Sequence, residues 1–96
     1  MVGKEDSIEY KGDTGATSNV ILLTSSHIYC ANAGDSRSVI SKSKKAVGLS
    51  EDHKPSNKIE SDRIYKANHF VIECDVNRVD GNLALSRAFG DFKYKN

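Results

Sequence analysis

Val20-Ile21-Leu22-Leu23, the turn Thr24-Ser25-Ser26 and the run His27-Ile28-Tyr29-Cys30-Ala31-Asn32-Ala33 decide how the rest of the chain reads. The first run is apolar on both parities of an extended segment, the pattern of a strand covered on both faces. Three small polar residues then turn the chain, and the following segment is again β-prone through Ile, Tyr, Cys and Ala. Gly34-Asp35 breaks this second strand, Ser38-Val39-Ile40 starts a third, Lys42 to Lys45 is a charged turn, and Ala46-Val47 begins a short return. Connections this short join antiparallel neighbours, since a parallel crossover needs roughly a dozen residues. The spacing predicts a meander of hairpins.

Past Pro55, the one proline, the pattern changes. Asn57 followed by Glu60 has the spacing of a capping box, with the Asn side chain accepting from free backbone N–H groups. Asp62 and Lys66 stand in the favourable i,i+4 order. Ile59, Ile64 and Ala67 form a narrow apolar stripe, and Asn68 suits a left-handed helix end. Phe70-Val71-Ile72 reads as a strand. Leu83 to Phe89 reads as an apolar strand end running into a helical turn that Gly90 closes. Hairpins followed by one helix and a further strand make an α+β chain.

Ninety-six residues suffice for one small domain with a thin core. Hydrophobic residues at 38% and charged residues at 28% suit a soluble chain. Fourteen basic and thirteen acidic residues leave a net charge of +1, so no bulk field is available for nucleic acid or a membrane surface. Lys42, Lys44 and Lys45 are a solvated turn without a wider basic face. The longest apolar run, Val20 to Leu23, is far short of the ~20 residues of a membrane span. Met1 to Asp6 has no apolar stretch of a secretion signal. Cys30 and Cys74 are too few for a disulfide scaffold, and no Asn-x-Ser/Thr sequon occurs. These features lead us to expect an intracellular setting, cytoplasmic or nuclear.

No phosphate-cradling glycine loop and no G-x-S-x-G elbow is present. His27, His53 and His69 are too far apart to form a local metal pair, and each reads as a turn residue. Cys30 and Cys74 read as packed small hydrophobes. The informative residues are acids and arginines at bends. Gly34-Asp35-Ser36-Arg37 places a carboxylate where the backbone leaves a strand: either an oxygen ligand aimed from a sheet rim or an Asx turn closing on its own backbone. Asp52-His53-Lys54-Pro55 reads as a turn before a helix. Arg87 and Asp91 bracket Gly90 at a spacing that allows an ion pair.

Taken in order, the pieces form a series. It runs Gly-Asp-x-Gly-Ala-Thr-Ser at 12–18, Ala-Asn-Ala-Gly-Asp-Ser-Arg at 31–37 and Leu-Ser-x-Asp-His-Lys-Pro at 49–55. It continues with Glu-x-x-Arg-Ile at 60–64, Arg-Val-x-Gly at 78–81 and Leu-Ala-Leu-Ser-Arg-Ala-Phe-Gly-Asp at 83–91. From about Gly12 to Tyr94 the chain resembles the middle of a metal-dependent protein serine/threonine phosphatase of the protein phosphatase 2C type. The resemblance implies part of a two-sheet antiparallel β-sandwich flanked by helices, with residues 1–96 forming the central segment of an incomplete domain. It also implies hydrolysis of phosphoserine and phosphothreonine in protein substrates, by water held and activated between two Mg²⁺ or Mn²⁺ ions. Such ions lower the pKa of water and neutralise phosphoryl oxygens in one of the slowest uncatalysed reactions. The implied partners are phosphoproteins, with no nucleic acid or membrane, and the intact form is expected to be a monomer.

The departures are as informative. The family's metal-binding Asp-Gly-His-Gly string does not occur, and its later Asp-Gly and Asp-Asn ligands follow a point near which this sequence stops. Asp80-Gly81 falls in the Arg-Val-x-Gly register, where the family carries no principal ligand. The family's phosphate-gripping arginine and general-acid histidine belong to its N-terminal part, so neither Arg37 nor His53 takes those roles by position. By resemblance Asp35 belongs to a weaker third metal site. Alone it should fail to hold Mg²⁺, which demands about six oxygens. Arg37, Arg78, Arg87 and Asp91 belong to motifs near the active-site rim or flap and read first as structural. Gly15, Thr17, Gly34, Asp52, His53, Pro55, Gly81 and Gly90 are structural motif positions. Ala67-Asn68-His69 stands where the family usually has Ala-Gly-Gly, and His69 would fit poorly if its position needs a positive φ. No catalytic residue is assigned. The leading expectation is a phosphatase fragment, inactive and aggregation-prone in isolation because strand edges and apolar faces lack cover. The alternative is a non-catalytic phosphatase-like interaction module.

Overall fold

A computed structural model describes residues 14–95; Gly12 and Asp13 of the first motif lie outside them. The short polar turns produce antiparallel pairs, as expected, but among the described residues the pairs stay separate two-stranded ladders and do not join into the expected meander. β2 (Ser18–Leu23) pairs with β3 (Ile28–Ala33), Ser18 opposite Ala33 and Leu23 opposite Ile28. Thr24 closes that turn: its Oγ1 accepts from the Ser26 and His27 amides at 3.3 and 3.0 Å. β4 (Val39–Lys42) pairs with β5 (Lys45–Gly48) across Ser43 and Lys44, whose φ of 52° and 64° match the right-handed strand twist of a two-residue hairpin. β6 (Val71–Glu73) pairs with β7 (Asn77–Val79), and β1 (Gly15–Ala16) with β8 (Phe89–Gly90). Each ladder is two strands wide. With α1 (Lys58–Lys66), the one α-helix among the described residues, the chain is α+β.

The β2–β3 hairpin departs from the expectation of cover on both faces. Val20 and Leu22 are 56% and 60% exposed on one parity, and Leu23 is 68% exposed on the other. No second layer lies over this ladder among the described residues, so the hydrophobic pattern has no partner surface to act on.

Helix α1 begins as the Asn57 spacing predicts, with Asn57 Oδ1 accepting from the Ile59 amide at 3.0 Å. Glu60 does not complete a capping box. It is 2% exposed and turned inward, because two arginines and a serine offer it stronger partners than the cap amide. The i,i+4 ion pair joins Lys58 to Asp62 at 3.0 Å, not Asp62 to Lys66. At the other end the His69 amide donates to Ile64 O and the Asn68 amide to Tyr65 O, both at 3.1 Å, with Asn68 at φ 62°. This is the paired hydrogen bonding of a Schellman motif. His69 itself stays out of the left-handed region.

Among the described residues Ile64 of the helix and Val79 of β7 are buried apolar side chains, and Pro55 is fully buried. The radius of gyration, 16.3 Å, exceeds the roughly 13 Å of a compact chain of about 100 residues, in keeping with so thin a core. The segment after β7 also departs from expectation. Leu83 makes an isolated bridge to Val79, and the strand is confined to Phe89–Gly90. The helical turn follows Gly90, as a 3-10 turn at Phe92–Tyr94, because the backbone from Phe89 is drawn into pairing with β1. Gly90, at φ 79°, lies so close to Thr14 O that a side chain has no room.

Candidate functional site

Two motif segments meet edge to edge. The His53 amide donates to Gly34 O at 2.9 Å, and the Gly34 amide donates to His53 Nδ1 at 3.0 Å. His53 is thus a positioning residue tied to one backbone. Gly34 is at φ 119° and a Cβ there would strike the Thr17 side chain, so both motif residues have steric reasons to be small. Across this contact the charges pair reciprocally. Lys54 Nζ lies 2.6 Å from Asp35 Oδ2. Arg37 grips Asp52 with both arms, Nε to Oδ1 at 2.9 Å and Nη2 to Oδ2 at 2.6 Å. The Arg37 hydrogen bonds hold the Asp52 carboxyl below its usual range, and Asp52 in turn raises the guanidinium. Asp35 takes up neither an Asx turn nor a cluster of oxygen ligands among the described residues: its carboxylate is paired with the Lys54 ammonium.

Beneath lies an amide hub that sequence reading missed. Asn19 Nδ2 donates to Asn32 Oδ1 at 3.0 Å and Ser50 Oγ at 3.2 Å, and Asn19 Oδ1 accepts from Ser38 Oγ. Asn32 Nδ2 donates to Gly34 O at 3.1 Å and Glu51 O at 2.9 Å. Thr17 Oγ1 and Ser36 Oγ are 2.7 Å apart. The signal was available: Asn19 and Asn32 interrupt two apolar strands at positions that face each other in register.

The second cluster centres on Glu60. Its Oε1 accepts from Arg87 Nε at 2.5 Å and Ser86 Oγ at 3.0 Å, and its Oε2 from Arg87 Nη2 at 3.0 Å and Arg63 Nε at 3.3 Å. Burial pushes this carboxyl up, but the hydrogen bonds from Arg87 and Ser86 and the charges of Arg87 and Arg63 outweigh it and hold it at about 2. Arg87 therefore pairs with Glu60 and not with Asp91. Asp91, at φ 47°, lays its carboxylate where a side chain on Gly15 would sit. The Ser86 amide donates to His53 O at 2.9 Å and so joins this cluster to the first. Beside it opens a cleft of about 420 Å³ lined by Arg63, Leu83, Arg87, Phe89, Asp91 and Tyr94 among others.

The third cluster closes the β6–β7 hairpin. Arg78 grips Asp75, Nε to Oδ1 and Nη2 to Oδ2 both at 2.9 Å, and donates to Asn82 O at 3.0 Å. Asp80 and Gly81 carry positive φ, 51° and 77°. The Asp80 carboxylate is taken up by the Phe70 amide at 2.9 Å and His69 Nδ1 at 2.6 Å. The Phe70 hydrogen bond first and His69 second hold it below the usual carboxylate range.

Among the described residues no three of His, Cys, Asp and Glu gather in a way that could hold a metal ion. Asp35 already has an ammonium against it. These residues do not by themselves fit a divalent metal centre. They can order backbone segments and present charged side chains at a rim.

This antiparallel α+β chain has a solved counterpart among phosphatases. A crystal structure of a Toxoplasma gondii phosphatase matches with a TM-score of 0.66 at 49% identity, over 71% of this chain and 21% of that one. The family description Protein phosphatase 2C matches residues 2–96. Protein phosphatase 2C homolog 3 of Schizosaccharomyces pombe is 50% identical over 92 residues, covering 96% of this chain and 22% of that protein. A probable protein phosphatase 2C of Caenorhabditis elegans is 52% identical over 89 residues, covering 92% and 24% respectively. The chain belongs to the protein phosphatase 2C family, whose members are metal-dependent protein phosphatases. It spans between a fifth and a quarter of the length of these curated relatives.

Proposed function

We propose that this chain is the central scaffold of a protein serine/threonine phosphatase, in which the whole domain hydrolyses phosphoserine and phosphothreonine with Mg²⁺ or Mn²⁺. The observation that carries this reading is connectivity. Motifs from Thr17, Gly34–Arg37, Asp52–Pro55, Glu60 and Ser86–Arg87 are tied to one another by direct hydrogen bonds, not scattered. Metal ions, when bound in the whole domain, would supply an activated water and charge neutralisation at phosphorus. Asp35 is the one residue here that we assign to their neighbourhood. The role of this chain's residues is to fix where the rim lies: His53 holds Gly34, Arg37 holds Asp52, and Glu60 holds α1 against Arg87.

The test is the reading frame on either side. Upstream Asp-Gly-His-Gly and downstream Asp-Gly and Asp-Asn, with Mn²⁺-dependent phosphate release from a phosphothreonine peptide by the extended protein, would support the phosphatase. An extended protein lacking those acids and without turnover would support a non-catalytic interaction module instead.

A further inference from the structure

Asp80-Gly81 is the one Asp-Gly step in the sequence, and no Asn-Gly occurs. Glycine lacks the side chain that would shield its own amide, so this is the step most open to cyclisation of an acid onto the backbone. The structure engages both reacting groups elsewhere. Asp80 Oδ1 accepts from the Phe70 amide at 2.9 Å. Its Oδ2 lies 2.6 Å from His69 Nδ1, which donates, since an ionised carboxylate only accepts. The Asp80 amide donates back to Phe70 O at 2.7 Å. The peptide between Asp80 and Gly81 is held as well: the Gly81 amide donates to Arg78 O at 3.5 Å, and Asn82 Nδ2 to Asp80 O at 3.2 Å. Ring closure needs the Gly81 nitrogen beside Asp80 Cγ, so this peptide must rotate and the carboxylate must leave its partners. The same hydrogen bonds favour the ionised acid, whose carbon is a poor electrophile.

We propose that Asp80 is a site of spontaneous isoaspartate formation that His69 and the Phe70 amide keep latent, conversion proceeding only from a locally opened corner. In the open state the Gly81 nitrogen gives up its proton and attacks Asp80 Cγ. The N–C bond forms, the bond from Cγ to its hydroxyl breaks, and water leaves. Water then adds back to the five-membered imide. Opening at Cγ restores aspartate. Opening at the main-chain carbonyl of Asp80 routes the backbone through Cβ and leaves the former main-chain carboxyl as the side chain. This isomer has one more carbon in its backbone and one fewer in its side chain, so its carboxylate no longer reaches the Phe70 amide and His69 together. The corner that joins α1 to the β6–β7 hairpin is then released. His69 is the positioning residue that sets how often this happens.

The experiment incubates the full chain at neutral pH, below the concentration at which light scattering detects association. Isoaspartate at residue 80 is read by electron-transfer fragmentation of the peptide that carries it, and a synthetic peptide of residues 76–84 gives the unrestrained rate. The folded chain should convert on the order of a hundredfold more slowly than the peptide, and His69→Phe, a ring without the donor, about tenfold faster than the wild type. His69→Ala carries the same expectation if Phe disturbs the Ile64 and Val79 amide shifts. In mild urea, wild-type conversion should rise in step with exchange of the Phe70 amide and ahead of the Ile64 amide, which separates release of the corner from global unfolding whichever variant folds. The proposal is overturned if the wild-type chain converts at the peptide rate, or if a folded His69 variant converts no faster than the wild type. Conversion that follows Ile64 exchange alone overturns it equally.

Discussion

Glu60, in the first turn of α1, lies against the guanidinium of Arg87, 27 residues further on, with Nε to Oε1 at 2.5 Å and Nη2 to Oε2 at 3.0 Å. The Glu60 side chain is 3% exposed, whereas the arginine side chain is 44% exposed. The burden of desolvation therefore falls on the acid. An anion so placed is tolerable only while its donors remain.

The two halves of this pair should respond differently to truncation. Arg87→Ala leaves a buried anion short of two donors and should cost about 3–5 kcal/mol. Glu60→Ala removes the anion and lets the part-exposed Arg87 return to water, costing about 1–3 kcal/mol. Amide exchange at Ile64 and Val79 reads the difference. Equal losses would contradict the asymmetry.

Acid should release α1 over a defined window. The Glu60 carboxyl sits at about 2 against an ordinary 4.5. Its depressed value means that its stabilisation is fully present above pH 4.5 and is lost as pH falls towards about 2. Asp52, Asp75 and Asp80 are also held low, each chiefly by a hydrogen bond from a neighbour, so the whole chain loses stability in acid. Comparison with Glu60→Gln isolates the helix: the far-UV helical signal should fall less steeply in the variant across that window. An unchanged slope would exclude Glu60 as the acid-sensitive contact.

The helix end gives a backbone test. Asn68 is at φ 62°, where glycine is at ease and a β-branched residue is not. Asn68→Gly should be neutral or slightly stabilising, and Asn68→Val should cost about 1–2 kcal/mol. Protection of the His69 amide, which donates to Ile64 O, is the readout. If Val is tolerated as well as Gly, the left-handed assignment is wrong.

The uncovered hairpin predicts self-association. Leu22 is 60% and Leu23 68% exposed on opposite faces. Leu22→Lys with Leu23→Lys together should raise the monomer fraction in light scattering more than either change alone, since each face offers its own apolar surface. A monomeric parent chain at the same concentration would run against this.

Much of the fold was legible because its causes are local. Short polar turns fixed the antiparallel pairing, Asn57 marked the helix start, and Asn68 its end. What escaped reading depended on partners distant in sequence. Glu60 has the spacing of a capping box, and nothing within its own turn reveals that Arg87 and Ser86 will claim it. Arg87 and Asp91 have the spacing of an ion pair, yet Asp91 is drawn to Gly15 once Phe89–Gly90 joins β1. Asp62 had two lysines in reach, and the pair formed with Lys58. Site chemistry was legible as an ordered series of motifs. The reciprocal pairing of Asp35 with Lys54 and Arg37 with Asp52 needed the tertiary contact between Gly34 and His53.

The most direct measurement is a segment exchange. This chain, placed in the Schizosaccharomyces pombe relative in exchange for the matching 22% of that protein, is assayed for Mn²⁺-dependent phosphate release from a phosphothreonine peptide. Turnover within about tenfold of the parent, roughly 1.4 kcal/mol of barrier, is predicted if these motifs are a working phosphatase scaffold. A soluble, folded chimera with no turnover would contradict the account.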